Sequence, residues 1–210
     1  MRKLIVSVLI LVALLAVADR VAVSAAQRDV ARRIQVDQHL RSTPSVTIGG
    51  FPFLTQLVAG TYDDVTVTVR GLHSGALAVS RLTAHAHGVH VSFGDVLAQH
   101  ISRVPIDRAT AQVVLSYADL NAYLAGQHLR VAPGSGGAVR LTGTVAGVAV
   151  SADAQLSVRG DAVVLSPGSG VAGVEIPLPG LPFQTHLNSV KATQAGIVVS
   201  GSATGLVLRA

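Results

Sequence analysis

Three histidines fall within six residues in His85-Ala86-His87-Gly88-Val89-His90, and imidazole is the commonest metal-ligating side chain. On a strand His85 and His87 share a face. His90 has the opposite parity unless Gly88 makes a bulge, and the nearest acid beyond it is Asp95. Two same-face ligands do not close a metal site, so solvated strand histidines are expected and no metal or cofactor is assigned. Other catalytic patterns fare worse. No Gly-x-Ser-x-Gly and no His-Glu-x-x-His occurs, which removes the nucleophile elbow and the zinc-peptidase helix. Glu175 is the only glutamate, and Asp63-Asp64 read as the turn before a strand at Val65. The glycine-rich stretch Pro133 to Gly137 lacks the lysine and following helix of a phosphate loop. No catalytic set emerges, and the chain is read as a non-enzyme. An enzyme would have to gather Asp107, Asp119 and His186, which no spacing joins.

The residues left with a chemical purpose are apolar. Gly50-Phe51-Pro52-Phe53-Leu54-Thr55 is echoed by Gly180-Leu181-Pro182-Phe183-Gln184-Thr185. Each proline fixes its own φ and biases the preceding residue toward extended geometry, so each motif holds its aromatic on a stiffened backbone. Phe51, Phe53, Leu54, Leu57, Val58, Leu181 and Phe183, with Val67 on the following strand, are candidates to line one apolar mouth. The alternative is that the phenylalanines plug a core.

Composition narrows the partners. Half of the residues are hydrophobic and 13% are charged, with a formal charge of +5. Four Phe, three Tyr and no Trp leave few stacking platforms for bases or sugars, and no Lys/Arg-rich run marks a phosphate track, so nucleic acid is not expected. With no cysteine, disulfides and thiolate sites are excluded.

The elements that must position these residues follow from hydrophobic period. Arg2-Lys3 precede an uncharged run, Leu4 to Ala18, with small residues at Ala16-Val17-Ala18. That is a signal peptide over residues 1–18, either cleaved or retained as an anchor, and it addresses the chain for export. From Val21 to about Gln38 the period is helical, with Val23, Ala26, Val30 and Ile34 on one stripe and Arg28, Asp29, Arg32 and Arg33 outside it. Arg28, Arg32 and Arg33 would meet anionic headgroups if this helix lay on a membrane; a narrow, Ala-rich stripe favours packing on the domain's own sheet. No Pro or Gly occurs between residues 4 and 43, so one continuous helix is expected.

After Pro44 the period becomes 2. Val65 to Val69, Leu77 to Val91, Ile106 to Leu115, Ala138 to Val150, Ala152 to Leu165 and Ile197 to Leu208 read as strands separated by Gly- and Pro-rich turns. Ser116-Tyr117-Ala118-Asp119 opens a short capped helix, and Phe93 to His100 a second. The expected class is α+β: residues 19–210 form one domain in which a long N-terminal helix packs on an extended, strongly twisted antiparallel sheet. A sheet lined by Val, Ala and Thr around one helix either packs closely or encloses an apolar groove.

These motifs resemble an actinobacterial envelope family, the LmeA-like phospholipid-binding proteins. The likeness rests on Asp19-Arg20, Gly50-Phe51-Pro52-Phe53-Leu54-Thr55-Gln56 with Gly60-Thr61-Tyr62, Ser116-Tyr117-Ala118-Asp119-Leu120-Asn121, and Pro177-Leu178-Pro179-Gly180-Leu181-Pro182-Phe183. It implies a fold similar to tubular lipid-binding proteins and binding of anionic phospholipid, with phosphatidylinositol-type lipids among the candidates. The setting implied is the outer face of the cytoplasmic membrane or the periplasm-like envelope space, in support of lipoglycan assembly. The competing expectations are a structural or interaction protein with a filled core, and an enzyme acting on a glycolipid.

Overall fold

The stretch without Pro or Gly forms a single 36-residue helix, α1 (Arg2–Asp37), about 54 Å long at 1.5 Å per residue. It ends where His39 takes a positive φ of 50° and the Leu40 N–H returns to the Gln35 carbonyl, shortly before Pro44. The computed structural model describes residues 2–74, 77–98, 103–145, 147–168, 173–178 and 186–209. The fold is α+β, as expected, with antiparallel strand pairing.

The chain divides into two compact units: Met1–Val67, His85–Arg108 and Gly205–Ala210, and then Thr68–Ala84 and Ala109–Thr204. Four strands of 14 residues each contribute to both, namely β2 (Thr61–Ser74), β3 (Leu77–His90), β4 (Arg103–Ser116) and β11 (Gly196–Arg209). With β1 (Ser45–Ile48) and β10 (His186–Thr193) they make a sheet of order β1-β2-β3-β4-β11-β10.

The first unit adds α1, the short helix α2 (Phe53–Ala59) and α3 (Phe93–Ala98). The expected amphipathic stripe holds: Val23 and Ala31 are buried, Ala26, Val30 and Ile34 half-buried, and Arg28, Asp29, Arg32 and Arg33 exposed. This stripe packs α1 on β1 and α2. Phe53, Tyr62, Val46, Ala86, Val89 and Ile106 supply further buried positions.

The second unit contains α4 (Tyr117–Leu124), a 3-10 turn at Ala125–Gln127 and a sheet of order β5-β6-β7-β8-β9. Its strands are β5 (Leu129–Pro133), β6 (Val139–Val145), β7 (Val148–Arg159), β8 (Ala162–Ser166) and β9 (Val174–Pro177). Leu115, Leu120, Leu124, Leu141, Leu165, Ile176 and Ile197 are fully buried. Ser116 caps α4 by accepting the Asp119 N–H at 3.1 Å. The Asp119 carboxylate in turn accepts the Ser116 and Ser80 hydroxyls.

Two strand expectations are corrected here. The segments Ala138 to Val150 and Ala152 to Leu165 are three strands, because alternation runs on through a turn at Gly147, whose φ is 82°, and β7 continues unbroken across Ser151. Asp63 and Asp64 lie within β2 rather than in a turn, with the Asp64 carbonyl accepting the Gly49 N–H at 2.8 Å.

Candidate lipid-contact site

Where α1 leaves its apolar run, every large apolar residue from Leu4 to Val17 is at least half exposed, yet Asp19 is only 2% exposed. A buried carboxylate must be paired or hydrogen-bonded. Its Oδ1 accepts the Leu54 N–H at 2.8 Å, and its Oδ2 accepts from Arg20 Nη2. The Leu54 bond explains α2. A seven-residue helix is too short to persist alone, and Pro52 at its N-cap gives no side-chain cap; Asp19 provides the missing acceptor from another helix. At the other end Gly60 (φ 69°) donates to the Gln56 carbonyl and stops α2 in the left-handed conformation. The buried Gln56 side chain donates to the Gly49 carbonyl at 3.1 Å and accepts the Asp63 N–H at 3.0 Å, holding the turn before α2 against β2.

The candidate residues separate by burial. Phe53 is 3% exposed, with its ring centroid 6.1 Å from that of Tyr62, and burial pushes the Tyr62 hydroxyl pKa upward. Phe51 is 67% exposed and Val58 74%, while Leu54, Leu57 and Val67 are half-buried. Phe51 is not idle, since the Arg20 guanidinium lies 5.0 Å from its ring centroid, within cation–π range. Leu181 and Phe183, with the rest of the second motif, lie outside the described residues.

Along α1, Ala16, Val17, Arg20, Val21, Ser24 and Arg28 line an open crease of about 470 Å³. Arg28 is exposed and donates from Nε to the Ser24 carbonyl at 3.0 Å. Arg33 pairs with Asp29 at 2.9 Å, and Arg32 is exposed.

Past Gly88 the alternation of buried and open positions shifts by one, Ala86 and Val89 both being buried, so His85, His87 and His90 fall on one face. Gly88 takes a φ of 63°, and a Cβ there would collide with the Asp107 carboxylate; this is the bulge that returns His90 to the outer face with His85 and His87. Each ring has a neighbour: Thr66 Oγ1 lies 2.9 Å from His85, Asp64 contacts His87, and Asp107 lies 3.1 Å from His90. Among the described residues no group of three or more His, Asp or Glu is arranged to hold a metal. Asp119 is occupied by the α4 cap, and the side chain of His186 lies outside the described residues.

In the second unit a groove of about 620 Å³ is lined by Leu156, Val158, Gly160, Asp161, Leu187, Asn188, Ser189 and Val190. An acyl chain there would desolvate the Asp161 carboxylate and the Asn188 amide without replacing their partners, an uphill step. Among the described residues the exposed large apolar side chains lie chiefly on α1, Phe51 and α2 of the first unit.

Sequence reasoning missed the roles of Asp19, Arg20 and Gln56. Only the odd charged pair closing an apolar run signalled the first two, and nothing local signalled Gln56. A family model described as LmeA-like phospholipid-binding matches residues 17–202. No curated protein and no solved structure matches the chain.

Proposed function

The chain belongs to the LmeA-like phospholipid-binding family, and from that membership we propose that it is an exported, non-catalytic phospholipid binder of the cell envelope. The observation that carries this reading is the exposed apolar surface beside the run of α1, with Phe51 and Val58 open to the surroundings and Leu54 and Leu57 flanking them. Phe51, Leu54, Leu57 and Val58 contact acyl chains; Phe53 and Val67 back that surface from within. Leu181 and Phe183 contribute through the second motif. Arg28, Arg32 and Arg33 supply positive charge for an anionic headgroup, phosphatidylinositol-type lipids being candidates.

The Arg2-Lys3 pair at the start of the run favours an N-terminus on the cytoplasmic side, with residues 19–210 acting as one lipid-binding domain on the outer face. Residues 1–18 serve as a signal that is cleaved or kept as an anchor, and the bound lipid supports lipoglycan or envelope assembly.

Native mass spectrometry of the full chain after mild extraction tests this. Phospholipid adducts, enriched in anionic species, are expected. A lipid-free protein that also ignores anionic liposomes would overturn the reading and favour a structural envelope protein with a filled core.

A further inference from the structure

The junction between the apolar run and the body has a built geometry that phospholipid binding in general does not require. Within one helical turn α1 passes from Leu15 and Val17, each more than half exposed, to the buried Asp19. Through Asp19 and Leu54, and through Arg20 and Phe51, that same turn is tied to the start of α2. The start of α2 therefore cannot swing freely about the end of the run. Arg20 lies only about 3 Å along the axis beyond Ala18, and each headgroup layer is roughly 5 to 7 Å thick. When the run enters a bilayer, Arg20 and the aromatic ring it covers come to the boundary between headgroups and acyl chains.

The crease at this level has a chemical gradient. Its end nearest the run is Ala16, Val17 and Val21, and its far end is Ser24 and Arg28, with Arg20 between. These positions recur at three- and four-residue spacing and so share one side of the helix. Arg20 and Arg28 are two turns apart, about 12 Å. Asp19 accepts from only one of the amino groups of the Arg20 fork. Small apolar side chains leading toward two arginines on one side of the helix match a lipid entering with its acyl chain beside Val17 and Val21 and its phosphate toward one of the guanidinium groups.

We infer that the α1 crease, walled by Arg20 and Arg28, seats one phospholipid of the leaflet that the apolar run enters, with Phe51 inserted at the boundary of that leaflet. The inference rests on the phospholipid-binding reading but adds a seat, an insertion depth and a retained anchor. The occupant is a bilayer phospholipid rather than free phosphate, because half of the crease is apolar.

The chain contains no tryptophan, so Phe51→Trp installs a single depth reporter. The full chain would be reconstituted into phosphatidylcholine vesicles containing one-fifth phosphatidylglycerol, with bromine placed near the glycerol end or near the methyl end of the acyl chains. Val148→Trp, at a position 54% exposed in the second unit, is the comparison. The expected result is blue-shifted emission from the Phe51→Trp variant, quenched at least twofold more by shallow bromine than emission from the Val148→Trp variant. In the same vesicles a phosphatidylglycerol with a photoreactive group on its first acyl carbons should label residues 16–28, and Arg28→Gln, which leaves the Asp19 pair intact, should lower that labelling at least threefold.

Protein that floats with the vesicles while the Phe51→Trp emission stays red-shifted and unquenched would overturn the inference. So would labelling indifferent to Arg28→Gln, inhibition of it by free phosphate, or a chain that does not stay with vesicles at all. Lipid adducts in native mass spectrometry together with unquenched Phe51→Trp emission would keep the broader function and remove this seat. Quenched Phe51→Trp emission with labelling at residues 16–28 but no adduct surviving extraction would support the seat as one filled only within the bilayer.

Discussion

The two units bury and expose apolar surface in opposite ways. In the second, aliphatic residues from α4 and both sheets are fully buried, and Val148 is its only strongly exposed large apolar residue among those described. In the first, Phe53 and Tyr62 fill the interior, while Leu4 to Val21, Val36, Phe51, Val58, Phe93 and Val207 are exposed. Scattered exposed apolar residues are ordinary, but a contiguous set is not. The contrast teaches that uncovered apolar surface, among the described residues, is concentrated in the first unit.

The sharpest way to break this comparison lies inside one motif. Phe53→Ala should cost about 3–5 kcal/mol of stability, the usual penalty for truncating a buried Phe. Phe51→Ala, two residues away, should cost less than about 1 kcal/mol and act on lipid binding instead. Denaturant titration of both variants beside vesicle flotation checks the pair. Equal destabilisation would make both residues core and remove the distinction between interior and exposed face.

The distinction between Phe51 and Phe53 was only half legible in the sequence. The repeated Phe-Pro pattern marked both as constrained, and two outcomes, mouth or plug, stood open. What separates them is α2, whose N-terminal N–H is capped by a carboxylate 35 residues earlier in the chain. No local pattern announces such a partner, so the segment read as a stiff connection. The long helix was legible because its cause is local: no Pro or Gly, then a stripe at helical spacing. The long strands were legible for the same reason, but period 2 continues through a tight turn as easily as along a strand, which hid the turn at Gly147. His90 marks an intermediate case. Its placement hung on whether Gly88 bulged, which glycine permits but its presence alone does not decide; the positive φ of Gly88 leaves room beside it only for a residue without a Cβ.

Next in size is charge. Replacing Arg28, Arg32 and Arg33 together by Gln should weaken binding to anionic vesicles by about 2–3 kcal/mol at low salt, at about 1 kcal/mol per basic residue near the surface. Arg33 contributes least because Asp29 already pairs with it. The loss should shrink as salt rises. An unchanged affinity at low salt would assign these arginines to solvation and leave α1 as a packing helix.

A glycine in each unit sharpens the comparison further. Gly88→Ala should destabilise by about 2 kcal/mol, because a left-handed conformation costs about 1–2 kcal/mol for an L-residue and the new Cβ meets Asp107. Gly147→Ala, also at positive φ but with nothing within 4 Å of the Cβ, should show only the conformational part, about 1 kcal/mol. Thermal melting of the two variants distinguishes them, and equal shifts would mean that Asp107 yields freely.

The smallest effect belongs to the second unit's surface. The Arg140 guanidinium, followed by the Ser135 hydroxyl, holds the Asp153 carboxyl down to about 2. Since the folded-state value is depressed, its contribution to stability is present above the ordinary carboxylate range and is lost as pH falls toward 2. An NMR titration should place the Asp153 midpoint near 2, returning toward the ordinary range in Arg140→Gln. A normal midpoint in the unaltered protein would show that the ion pair is not maintained in solution.

The most direct test of a lipid-facing first unit and a wet second one is lipid occupancy by native mass spectrometry in matched surface variants. Phe51→Asp with Val58→Asp places carboxylates where acyl chains are expected and where neither side chain is core, so melting should be unchanged while phospholipid adducts disappear. Val148→Asp should keep the adducts of the unaltered chain. Adducts that persist in the double variant, or that vanish equally with Val148→Asp, would contradict the account.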